Sequence, residues 1–256
     1  EVIDLYGTET INLSPGASVS SRAIVGHPLG TLYGTGSKTD GAGNLDLNSN
    51  GFPQITSSPI VLGDPNPDWR AGVSLNMRYK KWRLNAVLEH SEGGEFSPRT
   101  LWVLRRFGTT AETANRITLD QPLVNFKGNT IASGTTVRGN IKDFGGGPVL
   151  LDENWYRTGI GGGFGDNQAY NFSIADATWT KLRDLSLSYV LDDSRIKSLG
   201  LNDVILTFTG RDLININEVD GIDPEINTKG VSVAQGIEYF TNPQTTGFLF
   251  SLTINY

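Results

Sequence analysis

The C-terminal eleven residues, 246–256, alternate between two kinds of side chain. Side chains of a β-strand point alternately to opposite faces, so a period of two predicts a strand with two unlike faces. On one face the side chains are mostly small or polar. On the other face they are large and apolar, and these are Phe248, Phe250, Leu252, Ile254 and Tyr256.

The same alternation recurs at five earlier places. It is clearest in Arg70–Tyr79, where every second residue is apolar, and it resumes directly after Lys80 and Lys81. Short runs of this kind, separated by glycine-, asparagine- and aspartate-rich segments, predict strands. The pattern therefore predicts six strands, at 17–25, 70–79, 81–90, 178–191, 203–213 and 246–256.

The connections between these strands alternate in length. Two are short, at 80–81 and at about 192–202, and three are long, at 26–69, 91–177 and 214–245. Outer-membrane β-barrels have short periplasmic turns and long extracellular loops, whereas a soluble sandwich has no reason to keep that order. The sequence predicts an all-β fold: an antiparallel transmembrane β-barrel with a periplasmic C-terminus and extracellular long loops.

Composition narrows the classes of function. The 256 residues include 21 basic and 27 acidic side chains, and a net charge of −6 argues against a nucleic-acid partner. The chain has no cysteine and two histidines, which excludes disulfides and a histidine-rich metal site. No apolar run approaches the roughly 18 residues of a transmembrane helix, but a barrel strand needs only about 10 alternating residues.

Candidate chemistry is sparse. Gly34–Lys38 lacks the spacing of a phosphate-binding loop, and no Gly-x-Ser-x-Gly nucleophile motif occurs, so we predict no enzymatic activity and no cofactor. One arc of oxygen-bearing side chains, Asp40, Asn44 and Asp46, is a candidate for calcium. The alternative is a hairpin tip that uses Asp-Gly turn chemistry.

Five aromatic residues of the long connections are candidates for ligand contact. Aromatic rings with neighbouring asparagine, aspartate and arginine suit contacts to sugars or peptides. The alternative is that the rings pack the connections against one another. The five are Trp102, Trp155, Tyr156, Tyr170 and Tyr239.

Several motifs follow one another in a set order. They are GHPLGTLYG at 26–34, GDPNPDW at 63–69, KLRDLSLSY at 181–189, FTGRDL at 208–213 and GIDPE at 221–225. In content and order they resemble the SusC/RagA family, the TonB-dependent outer-membrane transporters of Bacteroidetes. Arg211-Asp212 departs from that family, which has a Gln-Asn or similar pair at these positions.

The resemblance implies that residues 1–256 are the C-terminal part of a barrel of about 22 strands, with the plug domain and the N-terminal strands outside this chain. It implies import of a bulky nutrient, a glycan or an oligopeptide. The implied partners are a SusD-like surface lipoprotein, the rest of the barrel and plug, TonB and outer-membrane lipid.

The resemblance also assigns a second role to the apolar stripe of the last strand, which it identifies as the signal read by the barrel-assembly machinery. Two other functions stay open at this stage. One is a small stand-alone porin or adhesin barrel, and the other is a soluble carbohydrate-binding β-sandwich. The stripe consists of Phe248, Phe250, Leu252, Ile254 and Tyr256.

Overall fold

A computed structural model describes residues 1–14, 18–158, 168–228 and 235–256. These residues form two compact units, each assembled from three separate stretches of the chain. We name them by their content. The sheet unit comprises 67–93, 177–223 and 242–256, and the connection unit comprises 1–66, 94–176 and 224–241.

Strands dominate the described residues. In chain order they are β1 (Thr10–Ser14), β2 (Val19–Ile24), β3 (Thr31–Gly34), β4 (Ile60–Gly63), β5 (Trp69–Tyr79), β6 (Trp82–Glu92), β7 (Glu95–Pro98), β8 (Arg116–Thr118), β9 (Leu123–Val124), β10 (Thr130–Ile131), β11 (Thr136–Arg138), β12 (Asn140–Asp143), β13 (Pro148–Leu151), β14 (Ala175–Asp176), β15 (Trp179–Leu191), β16 (Asp203–Asn217), β17 (Ile237–Glu238) and β18 (Gly247–Asn255). The α-helices are α1 (Arg99–Phe107), α2 (Glu153–Thr158) and α3 (Ser194–Ser198), and single 3-10 turns lie at Glu112–Ala114 and Tyr170–Ser173.

The sheet unit is one antiparallel sheet with the strand order β18-β16-β15-β6-β5. Its five strands are five of the six that the alternation predicts, with ends shifted by at most a few residues. Both edge strands, β5 and β18, have a single partner among the described residues. This part of the chain therefore forms an open sheet and not a closed barrel.

The sixth predicted strand, 17–25, does not join this sheet. Its first residue, Ala17, lies outside the described residues, and the rest forms β2 in a separate sheet of order β1-β2-β3-β4. Successive residues of β2, which point to opposite faces, are buried: Val19 is 0 % exposed and Ser20 is 7 % exposed. Because both faces of β2 are covered, it has no face that lipid can reach, and the predicted count of six strands in one sheet is wrong.

The two short connections lie at the same end of the sheet. Lys80 takes a left-handed conformation (φ +54°) in the two-residue turn between β5 and β6. Lys81 reaches across to Asp192 in the turn after β15, with an N–O distance of 2.6 Å. This hydrogen-bonded pair raises the pKa of Lys81 and lowers the pKa of Asp192.

In the connection unit, the described residues of the long connections form short strands and helices and not open loops. The β1–β4 sheet lies beside shorter pieces: the three strands β14-β7-β17 and the hairpins β9–β10, β8–β11 and β12–β13. Three apolar clusters hold these pieces, and Phe52, Trp102 and Leu119 are central members, none more than 1 % exposed. The glycine- and asparagine-rich composition predicted loops, because these residues favour turns. It gave no signal for the short strands that lie between the turns.

Candidate functional site

The sheet unit presents one continuous apolar face. The strand register lines up side chains from all five strands in rows that cross the sheet. One row consists of Met77, Leu84, Leu187, Phe208 and Phe250. The next consists of Tyr79, Trp82, Tyr189, Leu206 and Leu252.

Much of this face is exposed in the chain. Val73 is 62 % exposed, Phe250 67 % and Phe248 69 %. The largest apolar patch on an ordinary soluble monomer covers about 300–600 Å². Some fifteen large apolar side chains of this unit, each at least 36 % exposed, together cover on the order of 1,000 Å². A face of this size requires an apolar environment or a partner.

The dimensions of the face match the core of a bilayer. β5 has 11 residues, and at about 3.3 Å per residue its length is about 33 Å. A strand tilted by about 45° then spans roughly 25 Å, the height of the apolar band of outer-membrane barrels. Aromatic rings lie near both ends of the face, with Trp69 at one end and the pair Trp82–Tyr189, 4.6 Å between ring centroids, at the other.

The opposite face of the same sheet is polar. Ser186 and Thr209 share a hydrogen bond of 2.9 Å between β15 and β16, and Ser188 and Thr207 share one of 2.8 Å. Ser186 also donates to the Asp184 carboxylate at 2.7 Å, so hydroxyl and carboxylate groups line this face together. The two faces therefore differ as a wall between an apolar and an aqueous compartment requires.

A buried ion pair lies on the polar face near the start of β15. Both carboxylate oxygens of Asp223 accept hydrogen bonds from the Lys181 ammonium, at 2.7 Å each. The side chains are 1 % and 3 % exposed. Lys181 also lies 5.0 Å from the ring centroid of Trp179. The pair holds the segment after β16 against the sheet.

A bulge in β16 follows from the FTGRDL motif. The register between β15 and β16 shifts after Leu182, and Asp212 takes a left-handed conformation (φ +48°). Leu213 folds back over Gly210, where a Cβ would lie 2.7 Å from the leucine Cδ2. Asparagine and aspartate tolerate the left-handed region best after glycine, so Asp212 is a conservative departure from the family's Gln-Asn pair.

The structure places the five aromatic candidates for ligand contact in the connection unit. Trp102 stacks on Tyr170 with 5.2 Å between centroids, and Trp155 packs beside Phe52 at 5.5 Å. These three candidates and Tyr156 are at most 5 % exposed, so packing accounts for their positions. Tyr239 is half-buried, and the Cζ atom of the Arg99 guanidinium lies over its ring, 4.7 Å from the ring centroid. Contact of any of them with a ligand stays a prediction.

Tyr156 combines burial with a polar partner. Its hydroxyl donates to the Glu112 carboxylate at 3.2 Å and accepts from the Asn140 amide at 2.7 Å. Burial, reinforced by the negative charge of Glu112, raises the pKa of Tyr156 to about 12. The phenol therefore stays protonated at every physiological pH.

The calcium candidates form a hairpin tip. The Asp40 carboxylate accepts hydrogen bonds from the side-chain amide of Asn44 and from the backbone N–H groups of Asn44 and Ala42, and these bonds lower the pKa of Asp40. Asp46 is paired with Lys38 at 2.6 Å. In the described parts of the chain, no group of three or more His, Cys, Asp or Glu side chains is arranged to hold a metal ion. Calcium binding by Asp40, Asn44 and Asp46 stays a prediction.

Sequence reasoning did not predict the ion pair between Lys181 and Asp223 or the left-handed conformation of Asp212. Lys181 and Asp223 lie in the KLRDLSLSY and GIDPE motifs, so the motifs marked their surroundings. Their pairing joins residues that are 42 positions apart, and no local spacing rule encodes such a contact.

A membrane-crossing helix is also not found: among the residues described, no helix is long and apolar enough.

Comparison with known proteins extends these observations. No protein-family model matches the chain. A TonB-dependent receptor, P3 of Formosa agariphila, is 25% identical over 236 residues, which cover 90% of this chain and 20% of the receptor. This chain therefore spans about a fifth of the length of that receptor.

Solved structures share the fold. A solved structure of the RagAB peptide transporter superposes with a TM-score of 0.58 at 14% identity, over 98% of this chain and 25% of the solved chain. The "open-open" state of the RagAB peptide importer superposes with a TM-score of 0.57 at 12% identity. These similar proteins are described as a receptor, an importer and a transporter. The resemblance that the motifs indicate is thus confirmed: the chain is similar to part of a TonB-dependent receptor of the SusC/RagA type.

Proposed function

We propose that this chain forms part of the wall of an outer-membrane transporter that imports a bulky nutrient, a glycan or an oligopeptide, with energy from TonB. The observation that carries the proposal is the apolar face of the sheet unit. Roughly 1,000 Å² of exposed apolar surface is destabilising in water and is stabilised in lipid. The similarity to a TonB-dependent receptor and to a peptide importer supports the transport role.

The polar face serves as the lumen side in this proposal. Hydroxyl pairs such as Ser186–Thr209 offer hydrogen bonds to water and to a passing polar solute. The free edges of β5 and β18 take up the remaining strands of the barrel, since unpaired edges are not tolerated in lipid. The stripe from Phe248 to Tyr256 serves in addition as the barrel-assembly signal.

The connection unit shapes the entrance of the transporter. Its compact packing means that it presents a preformed surface to a ligand or to a partner, so that little conformational entropy is lost on binding. From the motif resemblance we propose a SusD-like surface lipoprotein as that partner, with the long connections outside the cell and the C-terminus in the periplasm.

A soluble carbohydrate-binding sandwich fits the sheet less well. A sandwich covers its apolar faces with a second sheet, whereas the apolar face of β5 is open, with every residue of this strand exposed in the described structure. A stand-alone porin barrel would bury the same face in lipid. It differs from the proposed importer because its transport does not depend on the inner-membrane proton gradient.

Membrane extraction tests the location. The natural polypeptide that carries this sequence is followed by immunoblotting after membranes are washed with concentrated salt and then with detergent. We expect release by detergent alone. Release by salt would overturn the proposal, because charge screening cannot detach an integral barrel.

Uptake tests the activity. Cells with and without the protein are given fluorescently labelled oligopeptides or oligosaccharides, before and after a protonophore collapses the inner-membrane gradient. Import that requires both the protein and the gradient is the expected result. Import that the protonophore leaves unchanged would indicate a porin.

A further inference from the structure

A cleft in the connection unit is lined by an unusual number of arginines. It measures ≈ 430 Å³ and lies between the C-terminal end of α1, the strand β11 and the start of α2. The charged residues that line it are Arg105, Arg106, Arg138, Arg157, Asp152 and Glu153. A chain with a net charge of −6 thus gathers four of its cations at one cleft.

Arg138 is held in a fixed position at this cleft. Its Nη2 donates to the backbone carbonyl of Gly108 at 2.8 Å, and its Nε donates to the carbonyl of Thr113. Gly108 ends α1 in a left-handed conformation (φ +69°), and a Cβ there would lie 3.2 Å from the arginine Nη2. The helix end therefore sets the guanidinium in place before any ligand arrives, which lowers the entropic cost of binding.

Several N–H donors of the cleft are open. Arg105 pairs with Glu112 through Nε at 2.8 Å, and Arg157 pairs with Glu153 through Nη1 at 2.6 Å. Among the described residues, Nη1 and Nη2 of Arg105, Nη1 of Arg138, and Nε and Nη2 of Arg157 have no hydrogen-bond partner. The guanidinium groups of Arg105, Arg138 and Arg157 are therefore only partly neutralised and present donors to the cleft.

The acidic residues of the cleft are more fully engaged. The Asp152 carboxylate accepts from the Asn125 side chain at 2.8 Å and from Asn154 at 2.9 and 3.0 Å. One oxygen of Glu153, Oε1, accepts from Arg157 at 2.6 Å, and Oε2 has no hydrogen-bond partner among the described residues. Most of the unsatisfied hydrogen-bonding groups in the cleft are therefore N–H donors of positively charged side chains. Such donors favour binding of an anion.

We propose that this cleft binds a carboxylate group of the imported ligand, carried by an acidic residue of an oligopeptide or by a uronic-acid unit of a glycan. A planar carboxylate matches the fork of N–H donors on a guanidinium. The volume suits one or two residues of such an oligomer. The biological use of the cleft rests on the proposed import function, whereas binding itself does not.

Binding is measured on the natural polypeptide, purified in detergent, by isothermal titration. The probes are triglutamate and trigalacturonate, with trialanine and maltotriose as neutral counterparts. We expect at least one acidic probe to bind, with an affinity that falls as salt rises, and the neutral probes to bind at least about tenfold more weakly. Equal affinities for acidic and neutral probes would overturn the proposal.

Variants locate the site. Arg157→Gln and Arg105→Gln should each weaken the acidic probe about tenfold, since each removes a charged donor from the cleft. Arg138→Gln also removes two internal hydrogen bonds, so it is compared only if its thermal unfolding matches that of the unsubstituted protein. Arg195→Gln, in the short turn after β15, is the matched control and should leave binding unchanged. Full binding by both Arg157→Gln and Arg105→Gln would contradict the assignment.

The two proposals fail in different ways. A protein that is extracted only by detergent and supports gradient-dependent uptake, but binds no acidic probe, disproves the carboxylate site alone. Salt release or gradient-independent uptake, together with arginine-dependent binding of an acidic probe, disproves the import function and leaves the site intact.

Discussion

Lys181 and Asp223 form a bidentate ion pair with two N–O distances of 2.7 Å, both side chains almost completely buried. Each belongs to a different sequence motif, one on β15 and the other in the segment after β16. Removal of one partner leaves an uncompensated charge that is almost completely buried, whereas removal of both leaves no buried charge of this pair.

We therefore expect Lys181→Met and Asp223→Leu to destabilise the protein by about 3–5 kcal/mol each. The double variant should recover most of that loss. Thermal unfolding in detergent, followed by circular dichroism, measures all three. Single variants that unfold at the temperature of the unsubstituted protein would show that the pair is solvated and of little energetic value.

The left-handed conformation of Asp212 gives a second prediction. Asp212→Ala should cost about 1–2 kcal/mol, because a Cβ without a compensating polar group is disfavoured at positive φ. Asp212→Asn is the matched control: it loses the same 3.7 Å contact to Arg183 but keeps a side chain that tolerates this conformation. Chemical denaturation should place Asp212→Asn close to the unsubstituted protein. Equal losses in the two variants would assign the effect to the charge and not to the backbone.

A third prediction separates the two faces of the sheet. Leu75 lies on the apolar face near the middle of β5, and Asn76 follows it on the polar face. An arginine at the centre of a lipid-facing strand costs about 2–4 kcal/mol. We expect Leu75→Arg to reduce the amount of folded protein in the outer membrane and Asn76→Arg to leave it nearly unchanged. The reverse order would exchange the lipid and lumen faces.

Tyr156 yields a prediction for alkaline pH. Its pKa is raised from 10.0 to about 12 in the folded chain, so the folded state holds the proton after the unfolded state has released it. The stability linked to this group is complete below pH 10.0 and is lost as the pH rises through about 12. Ultraviolet titration of tyrosine ionisation should show one late step, which Tyr156→Phe removes.

The same variant probes the hydrogen bonds. Tyr156→Phe leaves Glu112 and Asn140 without their shared hydroxyl partner, and at neutral pH this should cost about 1–2 kcal/mol. Its unfolding free energy should then fall less steeply than that of the unsubstituted protein above pH 10.0. A late titration step that survives in Tyr156→Phe would assign the raised pKa to another tyrosine.

The local alternation of apolar and polar residues was sufficient to predict the strands of the sheet unit. A period of two identified β5, β6, β15, β16 and β18, because one face of each strand is apolar along its whole length and an environment that is uniform along a strand leaves a regular trace. The alternating lengths of the connections correctly indicated that the two short turns share one end, as the Lys81–Asp192 pair shows.

Local pattern failed where the environment changes from residue to residue. The alternation of 17–25 resembled that of a barrel strand, but β2 packs within the connection unit with both faces covered. The aromatic residues of the long connections gave no sign of whether they pack or bind, since Trp102 and Trp155 owe their burial to partners such as Tyr170 and Phe52, which lie far away along the chain.

The sequence by itself thus determined the five strands of the sheet unit, their apolar and polar faces and, through its motifs, the kind of protein that the chain resembles. Only the tertiary structure decided the Lys181–Asp223 pair, the folded state of the long connections and the gathering of four arginines at one cleft. The physical reason is the range of the interactions. Strand amphipathicity is written in successive residues, whereas ion pairs, clusters and clefts join residues that only the folded chain brings together.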